Sequence, residues 1–588
     1  MYKFFLFFIF SPVLLLTQTL YNPQDLYDDY GGLFEKDSLR NLYIEFYDPN
    51  YHSVLVNSFF NNPSYRIPAK IILNGIVHDS AGVRYKGNST FCLPNDNGNP
   101  KVPFNIDMNY WISGQKLLEY KKLKLANAWM DPTFAKEFSS AQIYKNYLPS
   151  PEVNLIKLHC QGNYLGLYVN TESINKQFLD KHFGEKDGVL FKCDPSGMFC
   201  APTGTPGGGT PDLKWLGIDS SLYYDSYTIK SDYGWAELLD LIYNINNQFN
   251  EIDSVLNVDR VLWAFAVNQV TQNLDTYNGY YVHNYYLYKT EDGLFQMIPW
   301  DLDNSFIGAI LGWDFWNPTG VYQFDPYFFG QSASSRPLAY NLLNDPLYRK
   351  QYTAHLRTII NESLDTAVIR DKVNQLQSLT YNAAVNDQYK GFSMVQYYEN
   401  VESAIWSGWG FGGIMSTIDE RKQYLLSHPE ISLTPPSLSA LSVSSFNHVV
   451  TINASNVNSV ELMATTSQYN SKFKSFSMYD NGTNGDIIAN DGIYSTIMPF
   501  INSGEIKFYI RAQNNDAIML HPERAEYEFY IYKPAHNNSI TDVLDMKRLI
   551  RIIDILGRDV VDLNSTKDNV LLFYIYSDGT VEKRYKLH

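Results

Sequence analysis

Two aromatic stretches that lie close together decide the fold: Asn284-Tyr-Tyr-Leu-Tyr288, and Phe295-Gln-Met-Ile-Pro-Trp-Asp301-Leu-Asp303. Each is apolar or aromatic over four or five residues and is bounded by turn formers, which predicts two neighbouring strands. Residues 258–272 have the pattern of a buried helix, and Asp275 follows them. With one carboxylate before the first strand and another after the second, a hairpin brings both acids to one end of the sheet.

The order of polar residues around this hairpin is the order that phosphoryl transfer requires. One acid orients the attacking hydroxyl and accepts its proton. An amide and a second acid hold the metal ion that neutralises charge on the phosphates. Asp275, Asn284 and Asp301 follow one another in that order along the chain. Turns in any α/β domain also collect Asp and Asn, so chance clustering explains the pattern equally well when it stands alone.

A second group of candidates carries positive charge. Arg84 and Lys86 are two residues apart, which places them on the same face of a predicted strand. The Gly-Asn-Ser turn that follows offers backbone N–H groups to an anion. Lys122 and Lys124 have the same spacing. Standing alone, either pair is also explained by a solvated strand face.

Composition and missing motifs remove several classes of function. The net charge of −16 argues against sequence-independent nucleic-acid binding, which needs a basic surface. The sequence has no His-Glu-x-x-His, Gly-x-Ser-x-Gly or Gly-x-x-x-x-Gly-Lys-[Ser/Thr], which disfavours zincins, α/β-hydrolases and P-loop NTPases. Cys193 and Cys200 bracket a turn-like Asp-Pro-Ser-Gly segment and are a candidate disulfide.

The sequence pattern divides the 588 residues into four parts. Residues 1–19, with Lys3 before an apolar run, have the layout of a secretory signal peptide, so we expect a secreted or surface-displayed protein; a single N-terminal anchor is the alternative. Residues 20–430 form a mixed α/β region. Residues 437–533 show the short alternating strands of an Ig-like β-sandwich. Residues 540–588 contain three strands of a small sheet.

One loop of the predicted sandwich is dense in oxygen ligands. Asp480-Asn-Gly-Thr-Asn-Gly-Asp486 and Asn490-Asp-Gly offer carboxylate and amide oxygens at short spacing, which suits a structural Ca²⁺ ion. Asx-rich turns explain the same residues without a metal.

Eight short blocks occur in order between about residues 40 and 425. Five are N-terminal: Gly82-Val-Arg-Tyr-Lys-Gly-Asn-Ser89, Lys101-Val-Pro-Phe-Asn-Ile106, Lys122-Leu-Lys-Leu-Ala-Asn127, Gly162-Asn-Tyr-Leu-Gly-Leu-Tyr168 with Glu172, and Gly188-Val-Leu-Phe-Lys192. Three are C-terminal: Asn273-Leu-Asp275, Asn284-Tyr-Tyr-Leu-Tyr288 and Ile298-Pro-Trp-Asp-Leu-Asp303. In this order the blocks resemble the spore coat protein H (CotH) kinase family.

The resemblance implies an α/β (α+β) atypical protein-kinase-like domain that transfers the γ-phosphate of ATP to Ser or Thr hydroxyls, with Mg²⁺ or Mn²⁺. It implies Asp275 as the catalytic-loop acid, Asp301 and Asn284 as metal ligands, and Asp303 as a second metal candidate on the same strand face. Phosphate and nucleotide contacts would come from Lys86, Arg84, Glu172 and Lys192, with structural pairing to a lysine as the other role open to Glu172.

The chain departs from ordinary protein kinases. It has no Gly-x-Gly-x-x-Gly loop, no His-Arg-Asp and no Asp-Phe-Gly. Nine residues separate Asp275 from Asn284, where ordinary kinases have about five. This longer spacing is the departure that bears on the role of Asn284.

The C-terminal tail carries a second resemblance. Leu549-Ile-Arg-Ile-Ile-Asp-Ile-Leu-Gly-Arg558 and Leu572-Phe-Tyr-Ile-Tyr-Ser-Asp-Gly-Thr-Val-Glu-Lys583 are similar to the C-terminal sorting domain of the type IX secretion system. This implies a small all-β domain that engages that secretion machinery in a Bacteroidota-like bacterium.

Two other classes of function stay open at this stage. An inert kinase-like binding or structural protein on the cell surface would also carry a secretion tail and a sandwich. A glycoside hydrolase with paired carboxylates would suit the aromatic content and the export signals, although the lysine-rich N-terminal blocks have no evident use there.

Overall fold

The computed structural model describes residues 18–27, 30–197, 200, 208–310, 318–534, 549–560, 570–576 and 580–586. The chain divides into two units, Met1–Lys533 and Pro534–His588. Residues 1–17 of the expected signal peptide lie outside the described residues. Among the described helices, none has both the length and the apolar character needed to cross a membrane.

Seven strands of the first half of the chain close into a barrel, in the order β2-β3-β4-β5-β6-β8-β7. Side chains alternate between the barrel interior and its surface, as in β3, because successive residues of a strand face opposite sides. Strands β2 and β7 are parallel. The first elements are β1 (Gln18–Tyr21), β2 (Arg40–Phe46), α1 (Tyr51–Asn61), β3 (Ile67–Leu73), β4 (Ile76–Tyr85), α2 (Ser89–Asp96), β5 (Phe104–Asp107), β6 (Lys122–Ala126), α3 (Lys136–Tyr144), β7 (Val153–Cys160) and β8 (Asn163–Thr171).

A four-stranded antiparallel sheet in the order β10-β9-β11-β12 follows, and helices pack against it. The elements are α4 (Lys176–Phe183), β9 (Val189–Cys193), β10 (Tyr227–Ile229), α5 (Trp235–Asn247), α6 (Val258–Val270), β11 (Tyr285–Lys289), β12 (Phe295–Pro299), β13 (Ala309–Ile310), α7 (Pro318–Tyr322), α8 (Pro337–Asn344), α9 (Pro346–Ser363), α10 (Thr366–Asn386), α11 (Met394–Glu402), β14 (Ile405–Trp406), β15 (Gly410–Phe411) and α12 (Ile414–Ser427). Helix α6 is buried along its whole length, as its apolar pattern predicts.

Helix α3 is shorter than the apolar spacing of residues 134–147 predicts. It begins only at Lys136, because Phe134 has a φ of 56°, in the left-handed region that a right-handed helix cannot include. Its first turn therefore carries Glu137, whose side chain is buried.

Two sheets form the sandwich, one of β16-β17-β20 and one of β1-β23-β21-β18-β19 with β22 added to β21. Apolar residues from both inner faces meet in one core, as the alternating pattern predicts. The N-terminal strand β1 pairs with β23, so Gln18 and Thr19 of the expected leader are part of this sheet. The strands are β16 (Ser437–Val443), β17 (Val449–Ser455), β18 (Ser459–Thr465), β19 (Lys474–Met478), β20 (Ile493–Ile497), β21 (Ile506–Gln513), β22 (Ile518–His521) and β23 (Phe529–Tyr532).

The second unit contains a three-stranded antiparallel sheet, in the order β24-β25-β26. Its strands are β24 (Leu549–Asp554), β25 (Val570–Tyr576) and β26 (Val581–Lys586). The three strands expected from the sequence are present, and residues 577–579, part of the turn that the sequence predicts between the last two strands, lie outside the described residues.

The candidate disulfide between Cys193 and Cys200 does not form. Cys200 pairs with Cys92 of α2, while Cys193 and Cys160 are free and buried. Cys193 ends β9 and packs into the core formed with the helices, so its thiol is committed to that core.

A polar cluster joins the sandwich to the helices. Asp259 of α6 accepts hydrogen bonds from Gln351, from His355 and from the backbone N–H of Glu526, at 2.8, 2.8 and 3.0 Å. The carboxyl of Glu526 accepts a hydrogen bond from Tyr509 at 2.7 Å. Burial, reinforced by the nearby Asp259 carboxylate, raises the pKa of Glu526 to about 8. The folded chain therefore holds a proton there that the unfolded chain releases near pH 4.5.

This raised pKa predicts a pH dependence of stability. Between pH 4.5 and about 8 the folded state binds more protons than the unfolded state, so the free energy of unfolding decreases as pH rises through that window. We expect Glu526→Gln to melt at the wild-type temperature at pH 5 and several degrees higher at pH 8.5. Differential scanning calorimetry measures both. The exposed Glu251→Gln is the control, and equal shifts at both pH values in Glu526→Gln would contradict the assignment.

Candidate active site

A cleft of 680 Å³ lies between the barrel and the four-stranded sheet. The barrel contributes side chains from the end of β4 and from β6, and the sheet contributes the ends of β9, β11 and β12. Of the residues expected from the sequence, the structure brings seven together along this cleft: Arg84, Lys86, Lys192, Asp275, Asn284, Asp301 and Asp303.

The open end of the β11–β12 hairpin forms the acidic side of the cleft. The ladder continues one step beyond the strands, where Trp300 N–H donates to the Asn284 carbonyl at 3.2 Å. Asn284 and Asp301 have φ values of 60° and 57°, in the left-handed region. Asn and Asp tolerate this region better than other residues with side chains, because their short polar groups bond locally. The chain therefore bends away from the sheet at Asn284, just before β11, and at Asp301, just after β12.

Asp275 is held in one orientation by its neighbours. Its Oδ2 accepts hydrogen bonds from the Nδ2 groups of Asn284 and Asn304, at 3.1 and 3.2 Å. Its Oδ1 lies 3.4 Å from Nε2 of His283. Burial lowers the pKa of His283, but Asp275 and then Asp194 and Asp301 outweigh it and raise the pKa to about 9, so the imidazole is cationic at neutral pH. Asn284 uses its amide nitrogen on Asp275, and its amide oxygen is the atom suited to a cation.

Asp301 and Asp303 lie on a turn that lines the cleft, and not on a strand as the sequence predicts. The prediction that both lie on one strand face is wrong, because β12 ends at Pro299 and a short 3₁₀ turn, Leu302–Asn304, follows Asp301. Burial, together with the Asp301 carboxylate, raises the pKa of Asp303 well above its usual value. Because a neighbouring carboxylate disfavours the ionisation of Asp303, a divalent cation bound here would be stabilising.

The barrel side of the cleft carries a cluster of cations. Burial lowers the pKa of Lys86, and the Asp301 and Glu137 carboxylates partly offset this. Lys124 has its Nζ 3.7 Å from the centroid of the Trp300 ring. Its pKa lies well below the usual value, because burial and then Lys86 and Lys192 disfavour the ammonium. Because burial and the neighbouring lysines destabilise the charged ammonium groups, an anion bound on this side of the cleft would stabilise them.

Lys192 is paired with a carboxylate that the sequence analysis did not single out. It forms an ion pair with Asp194, which also lines the cleft. Burial lowers its pKa, but Asp194 outweighs that effect and keeps the pKa above its usual value. This lysine is charged in the folded protein.

Glu172 does not line the cleft. Its Oε2 accepts a hydrogen bond from the Glu152 backbone N–H at 3.1 Å and lies 3.7 Å from the Lys181 ammonium. The side chain is 1% exposed. This corresponds to the other role that the sequence left open, structural pairing with a lysine.

Four residues of the site were missed, or left without a role, in the sequence analysis: Lys124, Glu137, His283 and Asn304. The strand pattern already placed Lys124 on one face with Lys122, and His283 stands next to Asn284. Glu137 has no such signal in the sequence, since no motif surrounds it. It is buried, accepts a hydrogen bond from Thr171 at 2.7 Å, and has its pKa raised to about 7 by burial and by Asp301. Only the packing of α3 brings it near Lys86.

Replacing Lys124 tests the anion-binding role of the barrel side. Lys124→Met keeps the length and the apolar contact with Trp300 but removes the charge. For ATP, the nucleotide that the sequence resemblance implies, we expect a KM about tenfold higher, since one charge-assisted contact contributes roughly 1.5 kcal/mol. Steady-state kinetics with varied ATP measure this. Lys122→Met on the same strand face, where the lysine pairs with Asp107 at 3.4 Å, is the matched control and should keep the wild-type KM.

The carboxylates of the sandwich loop converge as well. Atoms of Asp480, Asp486 and Asp491 lie within 4.8 Å of one another. All three acids also accept backbone N–H bonds: Asp480 from Gly492 at 3.0 Å, Asp486 from Ile488 at 3.3 Å and Asp491 from Ile493 at 2.9 Å. The expected Ca²⁺ site is geometrically compatible with this loop and stays a prediction.

Comparison with known proteins identifies a family for the part of the chain that contains the cleft. The family model of the CotH kinase protein matches residues 83–406, more than half of the chain, and this range holds every predicted site residue. The chain is 26% identical to the inner spore coat protein H of Bacillus subtilis (strain 168) over 199 residues, which are 33% of this chain and 52% of that protein. It thus spans about half the length of the curated relative that it matches. The chain belongs to the CotH kinase family.

Proposed function

We propose that this protein is an exported atypical protein kinase that transfers the γ-phosphate of ATP to Ser or Thr hydroxyls of an extracytoplasmic or surface protein. The observation that carries the proposal is the division of one cleft into a cationic side from the barrel and an acidic side from the hairpin end. Family membership supports kinase-like chemistry in general. A glycoside hydrolase has no use for the cationic side.

The residues present fit a divalent cation and a triphosphate. Asp301 and the amide oxygen of Asn284, with Asp303 beside them, would hold Mg²⁺ or Mn²⁺. The pKa of Asp303 is raised by burial and by nearby carboxylates, so a bound cation would stabilise its charged form. Bound there, the metal would neutralise charge on the phosphates. The phosphate oxygens would be bound by Lys86, by Lys124 and by residues 87–90, which line the cleft and include the first residues of α2.

Asp275 acts as the base in this proposal. Asn284, Asn304 and His283 fix its orientation. Asp275 accepts the proton of the acceptor hydroxyl as the hydroxyl oxygen bonds to the γ-phosphorus, and the bond from that phosphorus to the β–γ bridging oxygen breaks to release ADP. Lys86 stabilises the charge that collects on the transferring group.

Export is part of the proposal. The leader at residues 1–19 supports secretion, and the similarity of the tail at residues 540–588 supports passage through the type IX secretion machinery. Deleting residues 540–588 in a bacterium with that system should retain the protein in the periplasm. Surface delivery of the truncated chain would contradict the sorting role.

The decisive experiment uses ATP labelled at either the γ- or the α-phosphate. Purified protein is incubated with each label, with Mn²⁺ and with a Ser/Thr peptide library, beside Asp301→Ala. Label from γ alone, lost in the variant, is expected. Label from α would indicate nucleotidyl transfer. No label from either, and no thermal shift with millimolar Mg-ATP, would favour an inert kinase-like surface binding or structural protein.

A further inference from the structure

The hairpin that carries the candidate metal ligands has two ends with different surroundings. Strands β11 and β12 pair in register along their whole length. Asn284 and Asp301 lie at the open end, and the turn of residues 290–294 lies about 17 Å away, at about 3.4 Å for each residue of the strand. The open end faces the cleft, and the turn faces the β-sandwich.

Three side chains of one sandwich loop contact this turn. Tyr469 donates its hydroxyl to Oε2 of Glu291 at 2.6 Å. Ser471 donates to the Asp292 carboxylate, and the Lys472 ammonium donates to the Asp292 carbonyl. The three residues belong to the loop between β18 and β19. The contact therefore engages both the side chain and the backbone of the turn.

Both partners of the contact are locally ordered. In the turn, the Thr290 hydroxyl donates to Oδ1 of Asp292 at 2.7 Å, which fixes the carboxylate that Ser471 meets. In the loop, the Thr465 hydroxyl donates to the Ser471 carbonyl at 2.8 Å, and Ser471 is fully buried. A displacement of the loop is thus transmitted to the turn.

The sandwich is itself fixed to the helices. Trp263 of α6 donates its indole N–H to the Ala525 carbonyl at 3.1 Å. Apolar residues of β18, β21, β22 and the following turn pack with α9 in one shared core: Ala354, Met463, Tyr509, Ile518, Leu520 and Ala525. The sandwich therefore connects the helices rigidly to the hairpin turn.

We infer that the sandwich positions the metal-binding end of the hairpin, with Tyr469, Ser471 and Lys472 as positioning residues. The inference rests on the proposed phosphotransfer function. Strand β12 is the last strand of its sheet, and residues 255–257 hydrogen-bond to its outer edge at Phe295, so contacts at the adjacent turn add to the resistance against a tilt of that strand. A tilt moves Asp301 relative to the cationic side of the cleft, and a misplacement of about 1 Å reduces a reaction rate by about a hundredfold.

The test removes the contacts from the sandwich side only. The triple variant Tyr469→Phe, Ser471→Ala and Lys472→Met leaves the hairpin sequence intact. We expect kcat for γ-phosphate transfer to fall by about tenfold while KM for ATP stays within about twofold. We also expect the Kd for Mn²⁺, measured by electron paramagnetic resonance with a non-hydrolysable ATP analogue, to rise by about fivefold. A role in stability alone would lower the melting temperature without moving either quantity.

Two further variants separate positioning from general loosening. Lys472→Arg keeps a cationic donor for the Asp292 carbonyl and should retain the wild-type kcat. Arg524→Ala removes a different contact between sandwich and helices, the ion pair with Glu362 at 2.7 Å, and should also keep the wild-type kcat.

The outcomes distinguish the two proposals. A triple variant with wild-type kcat and Mn²⁺ affinity overturns the positioning role, and so does an equal loss in Arg524→Ala. A wild-type protein that neither transfers phosphate nor binds Mn²⁺ refutes the proposed function itself, and the positioning role with it.

Discussion

Asp301→Asn is expected to reduce γ-phosphate transfer by about a thousandfold or more, because in the proposed mechanism it removes the charged metal ligand on which phosphate neutralisation depends. Asn is the informative replacement at this position. The residue has a φ of 57°, which Asn tolerates, whereas Ala in this conformation costs about 1 kcal/mol of backbone strain. The shape of the side chain is retained, so a loss of rate reports the lost charge.

Asp301→Asn should also change the thermal stability of the folded protein. Among the carboxylates, Asp301 raises the pKa of Asp303 most, so removing its charge lowers that pKa and relieves repulsion. We expect Asp301→Asn to melt at or above the wild-type temperature without metal, and to lose the stabilisation that Mn²⁺ and ATP give the wild type. Thermal shift with and without Mn-ATP measures both.

A surface acid provides the control for this prediction. Asp371 lies exposed on α10, and Asp371→Asn should behave as wild type in transfer and in thermal shift. Transfer by Asp301→Asn above about a tenth of the wild-type rate would exclude Asp301 as an essential metal ligand.

The parts of the site that the sequence predicts are those encoded by local pattern. Asn284 and Asp301 flank two strands that pair with each other, so one hairpin suffices to bring them together. Lys86 and Arg84 follow from the two-residue period of a strand, which needs no knowledge of the fold. In both cases the physical cause acts over a few residues.

The missed residues depend on contacts between distant segments. Glu137 nears Lys86 only because α3 packs across the barrel, and Phe134 delays the start of that helix by its left-handed conformation. Cys92 and Cys200 pair across 108 residues, although Cys193 is much closer to Cys200 in sequence. Strand β1 joins a sheet whose other strands begin more than 400 residues later. No periodicity in one segment specifies such partners.

Asp275→Asn is expected to reduce kcat by about a thousandfold while leaving metal and nucleotide binding intact, because in the proposed mechanism it removes the proton acceptor alone. The amide keeps an oxygen for the Asn284 and Asn304 donors, so the loop after α6 should stay in place.

Mn-ATP should therefore stabilise Asp275→Asn as much as the wild type, in contrast to Asp301→Asn. Combining the two substitutions should cost little more than Asp301→Asn alone, since a base has no substrate to act on when the phosphates are misplaced. Loss of the Mn-ATP thermal shift in Asp275→Asn would instead assign Asp275 to the metal. Full additivity of the two losses would show that the two acids serve independent steps.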